Sequence, residues 1–113
     1  MPWPRNALVL LISAISLATG ADEAVMQCIV EKESSYHVWA VGRAGEIGLA
    51  QYMPETHRWL ADISGLDVVL GDPYDDLRLL AWALLNGHER LWSTWPLCEP
   101  AGRFGGGGEC LVM

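Results

Sequence analysis

The chain has 113 residues and a formal net charge of -7. That length holds one domain at most, and the scarcity of Lys and Arg excludes a nucleic-acid ligand, whose phosphates need cations. Acidity also gives no attraction to an anionic polymer, so a glycan partner would be held by aromatic stacking and hydrogen bonds.

In chain order, residues 1–20 read as a signal peptide. Arg5 supplies a positive start, Ala7 to Ala18 an apolar run, and Ala18-Thr19-Gly20 a small-residue cleavage site. The run is shorter than the ~20 residues of a bilayer span, and Asp22 and Glu23 close it. This predicts a secreted protein, in the periplasm or cell wall. An uncleaved segment acting as a membrane anchor is the alternative.

A helix is predicted to open at Ala21 or Asp22. Val25, Cys28, Ile29 and Lys32 follow its i, i+3, i+4, i+7 rhythm, and Glu33 stands at its end. Residues 35–47 hold Gly42 and Gly45 and predict an irregular loop, with a short helical turn over Gly48 to Tyr52. Pro54 suits the first position of the next helix, with Trp59, Leu60 and Ile63 facing inward. Val68-Val69-Leu70 is a short β-branched run that permits a small strand. Asp72-Pro73 is an N-cap followed by Pro at N1. Leu77, Leu80, Ala81, Leu84 and Leu85 then form a wide apolar stripe, with Trp82 inside it. Gly87 weakens the helix end, and Trp92, Trp95 and Pro96 lead into Cys98. Residues 99–113, with Gly105 to Gly108, predict a disordered tail. The fold class is mainly α, in one domain over residues 21–98. The three His residues are not at ligand spacing, so no metal site is expected.

Three cysteines in an exported chain leave one thiol over. A Cys28–Cys98 bridge would close a long loop and stabilise by about 4 kcal/mol in the chain-entropy model. The competing pair is Cys98 with Cys110 across the glycines.

Glu33 is the candidate catalytic acid. A carboxylic acid can protonate a glycosidic oxygen when burial beside apolar groups raises its pKa. A Glu at a helix end is by itself more often a solvated charge. Glu31 lies two residues back, about 200° around the helix axis, so the two cannot line one groove.

The context of Glu33 changes that weighing. Glu33-Ser34 is followed by Tyr36, then by Gly45-Glu46-Ile47-Gly48-Leu49-Ala50-Gln51-Tyr52-Met53-Pro54 and Thr56. This resembles the catalytic domain of the lytic transglycosylases: Glu-Ser, an aromatic two residues on, then Gly-x-x-Gly-Leu-x-Gln-x-x-Pro-x-Thr. The resemblance implies a small lysozyme-like domain that cleaves the β-1,4 bond between MurNAc and GlcNAc of peptidoglycan. It implies one Glu acting as acid and then base, no cofactor, and a monomer whose partner is the glycan strand. Gln51 is then the main substrate-binding candidate, through its amide. Tyr36, Trp39, Tyr52 and Trp92 are candidates for stacking on sugars, and Ser34 for bonding the backbone or the Glu33 carboxylate. Aromatics in a small helical domain are, however, more often core.

Two departures from the family pattern stand out. Glu46 occupies a position where a small residue is usual. It reads either as a turn residue paired with Arg43 or as a second carboxylate of a lysozyme-type hydrolase. The Ala-Tyr-Asn-Ala-Gly motif of larger transglycosylases is absent. In its place, Trp95-Pro96-Leu97-Cys98 looks like the ending of the compact resuscitation-promoting factors, whose cysteine bridges back to one near the catalytic Glu. That likeness implies the Cys28–Cys98 pairing. The missing motif leaves a non-catalytic peptidoglycan-binding or signalling domain as an alternative. A helical exported scaffold without either activity is a further one.

Overall fold

The helix boundaries follow local chemistry. In a computed structural model, which describes residues 3–99, the elements are α1 (Arg5–Thr19), α2 (Glu23–Ser34), α3 (Pro54–Ser64), α4 (Pro73–Leu85) and α5 (Trp95–Cys98). A 3₁₀ turn over Glu89–Leu91 precedes α5. The side chain of Asp22 accepts the Val25 N–H at 3.0 Å, and that of Asp72 accepts the Asp75 N–H at 3.0 Å. Each cap satisfies one amide that the first helical turn leaves over, an effect of about 1 kcal/mol. Pro54 and Pro73 start α3 and α4. Gly20 and Gly65 close α1 and α3 in the left-handed region, at φ 87° and 73°.

α4 is the central element. It buries Asp76, Leu77, Leu79, Leu80, Ala81 and Ala83, a set that wraps around more than one face. α1 and α3 pack against it, and α2 lies between α1 and α5. A disulfide between Cys28 and Cys98, with Cα atoms 5.6 Å apart, joins α2 to α5. Of the two pairings the sequence allowed, this is the one formed. Cys110 and the expected tail from residue 100 onward lie outside the described residues.

Residues 5–19, read from the sequence as part of a leader, form a helix packed on the rest of the chain. Leu8, Ile12 and Ile15 recur at i, i+4, i+7 and are buried in the core. Arg5, read as a leader charge, pairs with Glu31 of α2 and lies 4.2 Å above the Tyr36 ring. Three expectations meet a different outcome. In α3, Leu60 and His57 face inward, while Trp59 and Ile63 are exposed. In α4, Leu85 is exposed and Trp82 is half-buried, stacked on His88 with centroids 5.5 Å apart. The pairing of extended backbone falls at Val41, Ile47 and Tyr52 instead of the 68–70 run.

Candidate active site

The site begins where α2 ends. Ser35 and Tyr36 both adopt left-handed backbone, at φ 51° and 64°. For residues with a Cβ this costs about 1–2 kcal/mol each, and it turns the chain sharply after Glu33-Ser34. Two side chains brace the turn. Ser34 is buried and its hydroxyl donates to the Val30 carbonyl at 3.1 Å. The Tyr36 hydroxyl donates to the Gln27 carbonyl at 3.4 Å, and its ring is buried under Arg5.

Glu33 is half-buried. Its Oε2 accepts the Thr94 hydroxyl at 2.8 Å, across 61 residues of sequence. Among the described residues nothing bonds its Oε1. Glu31 has the opposite fate: it is tied to Arg5 of α1. The two carboxylates therefore serve different surfaces, as the helical geometry requires.

The glycine-rich turn is the second component. Ile47 and Tyr52 exchange backbone hydrogen bonds at 2.9 and 3.0 Å, and the Gly48 N–H donates to the Ala40 carbonyl at 2.9 Å. Gly48 has φ 88°, and Gln51 has φ 56° despite its Cβ. Gln51 is held by its amide nitrogen, which donates to the carbonyls of Ala40 and Gly48, both at 3.0 Å. That fixes the amide orientation and leaves Oε1, which lies beside Gly42, as its acceptor.

Glu46 belongs to this turn through the backbone. Its Oε1 accepts the Ala44 N–H at 2.8 Å. The ion pairs among the described residues are Arg5–Glu31 and Arg78–Asp75, so the expected Arg43 pairing is not formed. The Glu46 carboxylate instead fills the space a side chain at Gly42 would need. A Cβ there would stand 2.4 Å from Glu46 Oε1 and 2.7 Å from Gln51 Oε1.

The segment from Trp92 to Cys98 binds the two components to each other. The Trp92 indole N–H donates to the Ala50 carbonyl at 2.8 Å, and Thr94 holds Glu33. Cys98 then anchors the segment to α2. Tyr52 and Trp92 are buried, with rings 5.9 Å apart edge to face, so they are scaffold and not sugar platforms. Tyr36 is buried likewise, and Ser34 takes the backbone bond, one of its two expected roles. Trp39 is 67% exposed. It lines a surface depression with Trp3, His37 and Val41, beside Ser34. Thr94 escaped the sequence reading. A hydroxyl that reaches a distant carboxylate leaves no local periodicity or spacing to find it by.

Residues 11–93 match the transglycosylase SLT domain family. Among solved structures, an inactive mutant of the lytic transglycosylase Slt from Pseudomonas aeruginosa is similar, with a TM-score of 0.60 and 20% identity over 81% of this chain. The likeness covers 17% of that chain, so this protein spans a small part of it. No curated protein matches. The family match starts within α1 and runs through Glu33, the glycine-rich turn and Trp92. The mainly helical, disulfide-stapled chain belongs to the transglycosylase SLT domain family.

Proposed function

We propose that this protein is a peptidoglycan lytic transglycosylase with Glu33 as its single acid and base. The observation that carries the assignment is the half-buried Glu33, held through Oε2 by Thr94 beside the turn that matches the family. The protonated carboxyl gives its proton to the glycosidic oxygen between MurNAc and GlcNAc as that bond breaks. The acetamido group of MurNAc stabilises the positive charge at C1. The Glu33 carboxylate then takes the proton of the C6 hydroxyl, whose oxygen attacks C1 to give a 1,6-anhydro end. Atoms balance without water, metal or cofactor.

The Gln51 Oε1 is the acceptor offered to the sugar, because both of its amide protons are engaged by backbone. Trp39 offers an exposed ring for stacking. Glu46 is read as a turn residue, since its carboxylate accepts the Ala44 N–H. The substrate lies outside the cytoplasmic membrane, and a disulfide suits that oxidising compartment. No helix among the described residues is long and apolar enough to cross a membrane. In this reading α1 stays with the domain, because removing it would uncover the buried face of the core.

Mass spectrometry of muropeptides released from purified cell walls tests the reading. Anhydro ends are expected from the wild type and none from Glu33→Gln. Reducing ends would make the protein a hydrolase. Binding without release would make it a recognition domain.

A further inference from the structure

The chemistry above leaves one buried titratable side chain unused. Asp76, in the first turn of α4, has 0% exposure. Its Oδ1 accepts the Gly71 N–H at 3.0 Å. Its Oδ2 lies against Gly48, where a Cβ would stand only 2.3 Å from it. Oδ2 has no hydrogen bond of full distance and angle geometry, although the Leu49 amide acts on the carboxyl. From the far end of the same turn, the Tyr52 hydroxyl donates to the Asp76 carbonyl at 2.7 Å. One residue of α4 therefore holds both ends of the Gly48–Tyr52 turn, and Gln51 rides on that turn.

We propose that Asp76 is a positioning residue for the active-site turn, and that gain or loss of its proton changes how firmly the turn is seated on α4. The proposal rests on the transglycosylase reading only for what the turn does.

The surrounding charges give the direction. Burial pushes the Asp76 carboxyl up from 3.8 to about 7; the Gly71 and Leu49 amides oppose this, and Asp72 and Asp75 add to it. Arg78 is engaged with Asp75 at 3.1 Å. The Tyr52 phenol faces Asp76, and burial raises its pKa, so it brings no charge near neutral pH. His57 of α3 packs edge-on against Tyr52 at 5.4 Å, and burial lowers its pKa, so it supplies no cation at neutral pH. A carboxylate here is thus a desolvated charge with one oxygen poorly satisfied. The folded state holds the proton more tightly than the unfolded state. The stabilisation it brings is complete below the ordinary carboxylate range and is lost as pH rises through about 7.

The turn is therefore firmly seated while Asp76 is protonated and looser once it ionises. Turnover of cell walls by the full chain should fall with that ionisation, by about fivefold between pH 7 and 8 for one group with a midpoint near 7. Asp76→Asn keeps the shape and an oxygen for the Gly71 N–H but cannot ionise. Its kcat/KM should lose this falling limb. Superimposable pH profiles of the two proteins would overturn the proposal. Carboxyl ¹³C NMR of the wild type decides it even if Asp76→Asn fails to fold or no turnover is found. The expected result is a midpoint near 7 for Asp76, followed by the amide shifts of Gly48, Leu49 and Gln51. A midpoint in the ordinary carboxylate range, or turn amides that do not follow it, would overturn it as well.

Discussion

α1 and α4 pack on each other in regular helical backbone and bury Leu8, Ile12, Ile15, Leu77 and Leu80. Residues 35–52 are built differently. They hold every left-handed residue with a Cβ among the described residues: Ser35, Tyr36 and Gln51. They depend on glycines 45 and 48, bury Tyr36, Val38, Leu49, Ala50 and Tyr52 in the core, and are tied by single hydrogen bonds to α4 and to the Trp92–Cys98 segment. Apolar burial in the helical frame offsets the strain stored in the turns. A strained turn persists only when its surroundings over-determine it, and here Trp92, Tyr52 and Asp76 do so. The lesson is a division of labour: the frame sets stability, and the turns set chemistry.

That division can be broken by substitutions in each region. The largest effect belongs to Glu33→Gln. Loss of a general acid at nearly constant volume should lower turnover by about 10²–10⁴-fold, with an unchanged thermal midpoint. Glu31→Gln, two residues away in the same helix, should leave turnover almost unchanged, since Glu31 faces Arg5. Equal losses in both variants would dissolve the distinction between the two surfaces.

Removal of the disulfide by Cys28→Ser with Cys98→Ser comes next. It should cost about 4 kcal/mol by the chain-entropy model, read from chemical denaturation. Because α5 carries the segment that holds Glu33, turnover should fall well below the temperature of global unfolding. A loss of stability with full activity up to the new midpoint would show that Thr94 is placed without the bridge.

Ile12→Ala tests the frame alone. Ile12 is fully buried, so the change should cost about 2–5 kcal/mol, while turnover of the folded protein stays the same. Leu17→Ala on the same helix is the control. Leu17 is 90% exposed, and the expected change is within about 0.5 kcal/mol. Similar costs at both positions would mean that α1 is not packed as described.

Apart from the controls, the smallest effect is at Glu46→Ala. Loss of the Ala44 N–H contact should cost about 0.5–1.5 kcal/mol, with anhydro products retained. A fully stable variant that still binds glycan but has lost a water-dependent cleavage would instead make Glu46 a second catalytic carboxylate.

Much of this protein is determined by sequence. Asp22, Pro54 and Asp72-Pro73 mark helix starts because capping and proline geometry act within one turn of chain. The leucines of α4 mark a buried face because burial repeats with the helical period. The Glu33-Ser34 pair with the downstream glycine turn points to the family, since that pattern also runs along the chain. Tertiary structure decides what sequence period cannot express. The apolar run at residues 7–18 has a composition that suits export and packing alike, and only the fold shows which of its residues, Leu8, Ile12 and Ile15, are buried. Tyr36, Tyr52 and Trp92 have the chemistry of sugar platforms, yet their hydrogen bonds to Gln27, Asp76 and Ala50 turn them inward as supports. The Thr94 contact to Glu33 and the Asp76 seat beneath Gly48 join residues far apart in sequence. Such contacts depend on distance in space, which no local pattern of residues encodes.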